Sequence, residues 1–268
     1  MFFHRSRAGL PGAASVVAAL VLALGVAACD DSPPVPQHTA GQRVAAGPLF
    51  GDMVKRIESR RAVHFSSQGP TGTGSGDIVV DGAKSRLSFS GDQNGESTEL
   101  RVFGDSVYIS DTSQPGKKWL RLSPTGGDQL SAMMAPVVAV ITASLNPANQ
   151  VRLYAGAAPF TTVGTERVGD RQTTHYQGSI QAAAMLPLLP AEVQAQVRDR
   201  LTGSVAVEVW IDQDGLPARI SSTKPGEGPT VTTYTRWGQD VDVTRPAQDE
   251  VADPPRLPPQ PSAPTGGH

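Results

Sequence analysis

Short runs of alternating apolar and polar residues, joined by aspartate–glycine or glycine–aspartate pairs, recur along the chain and fix its class. Val205, Val207, Val209 and Ile211 share one face of a run that ends at Asp214-Gly215, and Ala218–Thr223 returns. Asp81-Gly82 joins Asp77–Val80 to Ser85–Ser90, Gly104-Asp105 joins Glu99–Phe103 to Val107–Ser110, and Gly169-Asp170 joins Thr165–Val168 to Thr173–Gly178. Alternation puts every second side chain on one face of a strand. Asp and Gly supply the positive φ that tight hairpin turns need. Pro229–Trp237 and Val241–Thr244 read as a closing hairpin around Gly238-Gln239. The pattern predicts about ten strands, nearly all in antiparallel hairpins and interrupted by helices, which is an α+β chain.

Three segments read as helix. Leu49–Arg61 sets Phe50, Met53, Val54 and Ile57 on one face against Asp52, Lys55, Arg56 and Glu58, the stripe of a helix laid on a core. Gln129–Leu145 carries no charge and is stopped by Asn146-Pro147. Ile180–Leu201 is apolar up to Leu189, is broken by Pro187 and Pro190, and becomes amphipathic from Ala191. A helix apolar all round must be buried on every side or sit in lipid, and Leu130–Leu145 falls short of the roughly 20 residues a bilayer span takes. Two readings stand: a plain core helix, or a helix packed on the sheet with another side lining a cavity for an apolar ligand. Met133–Leu145 and Ala182–Leu189 contain no large aromatic, and methionine repacks readily around varied ligands. On the second reading the slot is lined by Met133, Met134, Val137, Val138, Ile141, Leu145, Leu186 and Leu189, with Phe103 and Trp119 added from the sheet.

The N-terminus indicates the compartment. Arg5 and Arg7 precede an uncharged stretch from Leu10 to Ala28, which ends in Val26-Ala27-Ala28 before Cys29. A positive start, an apolar run and small residues make an export signal. Cys29 is the only cysteine, which excludes an internal disulfide and any multi-cysteine metal site. Its place directly after the small residues resembles the lipobox of bacterial lipoproteins. That resemblance implies a diacylglycerol on the Cys29 sulfur and cleavage just before it. One acyl chain holds a protein only marginally, whereas two or more hold it stably. The expected organisation is a signal peptide over 1–28, lipidated Cys29 with a flexible tether over 29–46, a folded domain over 47–246, and a disordered proline-rich tail over 247–268. The mature chain is expected as a lipid-anchored monomer on the extracytoplasmic face of the cell membrane.

Composition removes whole classes of function. Lys+Arg 23 against Asp+Glu 25 leaves a formal charge of −2, so binding to nucleic acid through phosphate contacts is excluded. Aromatics at 5% argue against a stacking platform for single strands. Between Gly72 and Gly76, Ser75 falls one place late for a nucleophile elbow, and the segment reads as a flexible turn. His64 and His175 lie far apart and share no metal-ligand spacing. Asp111, Asp128 and Glu166 show no paired-carboxylate logic. Lys117-Lys118 reads as a solvated turn, and Trp210 and Trp237 as packing residues. No catalytic residue, metal or cofactor is expected.

Taken in order, the lipobox, an apolar-faced helix and a run of hairpins lead to Val107-Tyr108-Ile109 and Trp119-Leu120. An apolar helix ending in Asn146-Pro147 follows, then Thr173-Thr174-His175-Tyr176 and Val209-Trp210-Ile211-Asp212. The series closes on Tyr234, Trp237-Gly238 and Val241 through Pro246. Over about residues 47–246 it resembles the LppX/LprG-type lipoproteins of actinobacteria. The resemblance implies a strongly curved antiparallel sheet, a half-barrel similar to the periplasmic lipoprotein carriers, with helices on the concave side enclosing an apolar cavity. It also implies that the cavity takes acyl chains of a lipid or lipoglycan, carried within the cell envelope, with a membrane transporter as a partner. The competing expectation is a non-catalytic interaction or sensor domain, with the same half-barrel filled and a protein as its partner.

Overall fold

The computed structural model describes residues 38–252, apart from 82–83, 111–113, 124–128, 145, 189–190, 192–193, 196–197 and 200. The chain begins with β1 (Arg43–Val44) and α1 (Ala46–Arg60). Six strands follow in sequence: β2 (Ala62–Gly69), β3 (Gly72–Val79), β4 (Arg86–Gln93), β5 (Glu96–Phe103), β6 (Ser106–Ser110) and β7 (Trp119–Leu122). Two helices, α2 (Gln129–Ser144) and α3 (Pro147–Ala155), separate these from β8 (Phe160–Val168) and β9 (Arg171–Gln181). A 3-10 segment, Ala182–Leu188, precedes β10 (Ser204–Asp212), β11 (Pro217–Thr223) and β12 (Thr230–Thr235), and β13 (Val251–Ala252) comes last.

All thirteen strands among the described residues form one sheet, ordered β1-β8-β9-β10-β11-β12-β2-β3-β4-β5-β6-β7-β13. Consecutive hairpins make both halves, and β12 pairs with β2 to join them. Every pairing is antiparallel except β13 with β7. The terminal strands do not pair with each other, so this large, strongly curved sheet stays unclosed. The α+β class and the antiparallel hairpins read from the sequence are present.

The strand count was too low, and one hairpin was misassigned. Residues 241–244 are not a strand. β12 has β11 on one side and β2 on the other, so no edge is left for a closing partner. The chain after Trp237 instead crosses the outer face of the sheet. There the Arg101 guanidinium donates to the Thr244 carbonyl at 2.7 Å, and Lys118 N–H donates to the Glu250 carbonyl at 2.8 Å. Val251 and Ala252 then pair with Trp119 and Leu120. The ordered sheet therefore runs past the expected boundary at 246 and covers the β7 edge, which would otherwise present unpaired backbone groups. The fold also begins before residue 47, because Gly41 N–H donates to the Thr162 carbonyl and Thr162 N–H to the Gln42 carbonyl.

Alternation divides the sheet into two faces. The inner face carries Val63, Ile78, Leu87, Val102, Val107 and Leu122 from one half and Val205, Val207, Val209 and Ile220 from the other. Helix α1 lies on this face with Phe50, Met53 and Ile57 buried, which removes their apolar surface from water. The Phe50 ring meets Tyr154 of α3 edge-on at 5.4 Å and Phe160 of β8 at 4.8 Å. Helix α3 was missed in the sequence because Asn146-Pro147 reads as the end of α2. The pair is also a start: the Asn146 side chain accepts from Ala148 N–H at 2.9 Å and Pro147 opens the helix, the arrangement proline and asparagine favour at a helix N-terminus.

Candidate functional site

On the inner face, β2, β3 and β4 lack the bulk that fills the core elsewhere. Phe65, Gly76 and Phe89 are direct cross-strand neighbours. A Cβ on Gly74 would sit 2.3 Å from the Phe89 ring, so the glycine lets that ring lie down on the sheet. Above these strands is a pocket of about 360 Å³, within the roughly 300–1,000 Å³ usual for small-molecule sites. Phe65, Ile78, Leu87, Phe89 and Leu100 supply its sheet side. Ile141 comes from α2, and Pro147 and Gln150 come from α3. Ser67, Thr232 and Tyr234 complete the lining, so the surface is mostly hydrocarbon with a few polar groups.

The polar groups largely satisfy one another. Ser67 Oγ and Thr232 Oγ1 lie 3.4 Å apart, and the Tyr234 hydroxyl donates to Gln150 Oε1 at 3.3 Å. Burial pushes the Tyr154 and Tyr234 hydroxyls above the usual phenol range, because a phenolate there would lose its hydration. Both hydroxyls therefore stay protonated donors at neutral pH.

The structure separates the residues expected to line the slot. Ile141 lines the pocket. Val138, 1% exposed, is core, and Met134 packs partly buried against that core. Met133 points the other way, 61% exposed. Leu186 is half-buried in the 3-10 segment and is not part of the lining. Phe103 and Trp119 lie on the outer face, because in β5 and β7 it is Val102, Leu120 and Leu122 that turn inward. Phe103 lies beneath Arg245 at 4.9 Å, and Trp119, 1% exposed, beneath Arg101 and Lys118 at 4.9 and 5.2 Å. Cys29, Leu145 and Leu189 lie outside the described residues, as does the side chain of Val137.

Sequence reasoning missed the sheet side of the pocket. Leu87 and Phe89, two apart, were legible as one strand face. Gly72–Gly76 was read as a flexible turn and is instead half of β3, paired on both sides.

The two histidines face away from the pocket. His64 Nδ1 meets Asp77 Oδ1 at 2.8 Å. His175 stacks on Trp210 at 4.1 Å, with Glu166 and Glu208 at its two ring nitrogens. Among the described residues, no group of three or more His, Cys, Asp or Glu side chains could hold a metal ion. No helix among them is long and apolar enough to cross a membrane.

No protein-family model and no curated protein matches the chain. Solved structures do. LprF from Mycobacterium bovis is 15% identical over 75% of this chain and 97% of its own, with a TM-score of 0.53. The lipoprotein LppX from Mycobacterium tuberculosis is 18% identical over 74% of this chain and 98% of its own, with a TM-score of 0.50. This chain has the fold of LprF and LppX. The resemblance read from its sequence is thus met in three dimensions, as a likeness of fold.

Proposed function

We propose that this chain is a lipoprotein, anchored through Cys29 to the outer face of the cell membrane, that holds acyl chains of a lipid or lipoglycan in the inner-face pocket and carries them within the envelope. The observation that carries this reading is the pocket itself: hydrocarbon side chains from four strands and α2 leave space unfilled where a core would close. Exposing an acyl chain to water costs about 0.8 kcal/mol per methylene. A carrier therefore needs a dry slot and no catalytic group. The fold shared with LppX, a lipoprotein by name, and the signal-like N-terminus ending at Cys29 both support the anchor. A membrane transporter as giver or taker of the lipid fits a carrier that does not itself cross the bilayer. The unfilled space also favours a carrier over an interaction domain with a packed core.

Native mass spectrometry of the full chain, purified from a cell that processes lipoproteins, tests this. A bound lipid mass that disappears in Ile141→Trp is the expected result. A bare protein mass together with no uptake of a fluorescent acyl probe would overturn the carrier reading.

A further inference from the structure

The pocket is not uniformly greasy. At its helical end Gln150 of α3 is the one side-chain amide among the described residues of the wall. An amide brings two N–H donors and one carbonyl. The Tyr234 hydroxyl occupies the carbonyl at 3.3 Å. Tyr154, one turn further along α3, lies beside the same side chain. Even with one N–H given to Tyr154, a second N–H has no protein acceptor among the described residues. Ser67 and Thr232 share one hydrogen bond at 3.4 Å, so the donor left over there is a single rotatable hydroxyl rather than an amide held in place.

Gln150 is half-buried and its amide is still open to the pocket space. A hydrocarbon chain laid over it would cover the donor without an acceptor, which is unfavourable, so a leucine or methionine would suit a purely hydrocarbon ligand better. The Tyr234 hydroxyl holds this amide in place from β12, with Tyr154 beside it on α3. Among the described residues no Lys or Arg lines the pocket, so an ionised carboxylate would meet no counter-charge from them. Building on the acyl-chain reading above, we infer that Gln150 is a hydrogen-bonding subsite for a neutral carbonyl oxygen, so that the pocket takes an acyl ester with its carbonyl at α3 and its hydrocarbon along β2–β5. The Gln150 amide then donates to the ester carbonyl, and the chain runs over Phe65 and Phe89.

The test is displacement of the neutral dye N-phenyl-1-naphthylamine from the full chain by three ligands of one chain length. These are methyl palmitate, hexadecane and, at a pH where it is ionised, palmitic acid. Wild type is expected to bind methyl palmitate better than ionised palmitic acid. Gln150→Leu should weaken methyl palmitate about three- to ten-fold, the scale of one neutral hydrogen bond, and leave hexadecane within about two-fold. Comparing each ligand across variants cancels its solubility. If methyl palmitate and hexadecane change equally, the subsite is overturned while the acyl pocket stands. If no ligand displaces dye from wild type, both fall. Tighter binding of ionised palmitic acid would overturn the neutral-carbonyl assignment. Should Gln150→Leu fail to melt cooperatively, Tyr234→Phe, which frees the amide from its holder, must weaken the ester more than the alkane for the assignment to stand.

Discussion

Phe65 and Phe89 lie across Gly76 with ring centroids 6.3 Å apart and planes within 9° of parallel. Each is a direct cross-strand neighbour of that glycine, one on β2 and the other on β4. A larger residue between them would stand where the rings and the pocket now meet. A gap in the side-chain layer thus has a definite origin: strands held by their backbone ladder, with glycine where a core would place valine or leucine.

Gly76→Ala tests this directly. An added Cβ would sit 2.0 Å from the Ser88 carbonyl oxygen and 3.0 Å from a Phe65 ring carbon, and a backbone oxygen gives way less readily than a side-chain tip. The variant should lose about 1–3 kcal/mol of stability, with weaker uptake of an acyl probe. Urea unfolding with unchanged stability would show that β3 and β4 separate freely at this point.

This origin also explains what could be read in the sequence. Strands that bury valine on one face, such as β10 with Val205, Val207 and Val209, announced themselves. So did α1, whose apolar stripe matches the helical period. β2 was missed because beyond Phe65 its inner-face position is Ser67, and the first half of β3 because Gly72, Gly74 and Gly76 look like a loop. The residues bounding an empty space need not be large or apolar, so the sequence signal fades where the pocket is. The signal that did stand out, the uncharged α2, located one wall through Ile141 but led to Met133, which faces solvent. β13 was invisible for another reason: two residues pairing with a distant edge carry no local pattern.

The segment after Trp237 should behave as a structural strap. Arg245 lies over the Phe103 ring at 4.9 Å and donates to the Tyr108 hydroxyl at 2.8 Å. Removing the cation–π contacts to Phe103 and Tyr108 and the hydrogen bond in Arg245→Ala should cost about 1–2 kcal/mol. The loss should appear locally, as faster amide hydrogen exchange in 106–110 and 119–122. Exchange that speeds only in the strap itself would mean β6 and β7 do not depend on it.

Asp212 gives a pH dependence with a definite sign. Its carboxylate is buried, accepts from Leu216 N–H at 2.9 Å and pairs with Arg171 at 2.9 Å. Burial nevertheless outweighs these and raises its pKa above the ordinary 3.8. The folded state then binds this proton more tightly than the unfolded chain. Its contribution to stability is full below about 3.8 and is lost as pH rises through the folded pKa. Asp212→Asn keeps the shape and an acceptor but does not titrate. Urea unfolding between about pH 3 and pH 6 should therefore show wild-type stability declining relative to the variant as pH rises. Wild-type stability rising relative to the variant as pH rises would mean the Arg171 pair outweighs burial.

Val138 and Ile141 are one helical turn apart on α2, yet one is core and the other lines the pocket. Tryptophan at the two positions should separate their roles. Ile141→Trp has open space to enter, so it should fold with a melting temperature within a few degrees of wild type and bind an acyl probe at least about ten-fold more weakly. Val138→Trp enters a filled site, where overpacking costs about 1–3 kcal/mol, and should lower the melting temperature by several degrees. Equal destabilisation by both, with the probe still bound by Ile141→Trp, would mean that α2 packs as core along its length and that the ligand, if any, is held elsewhere.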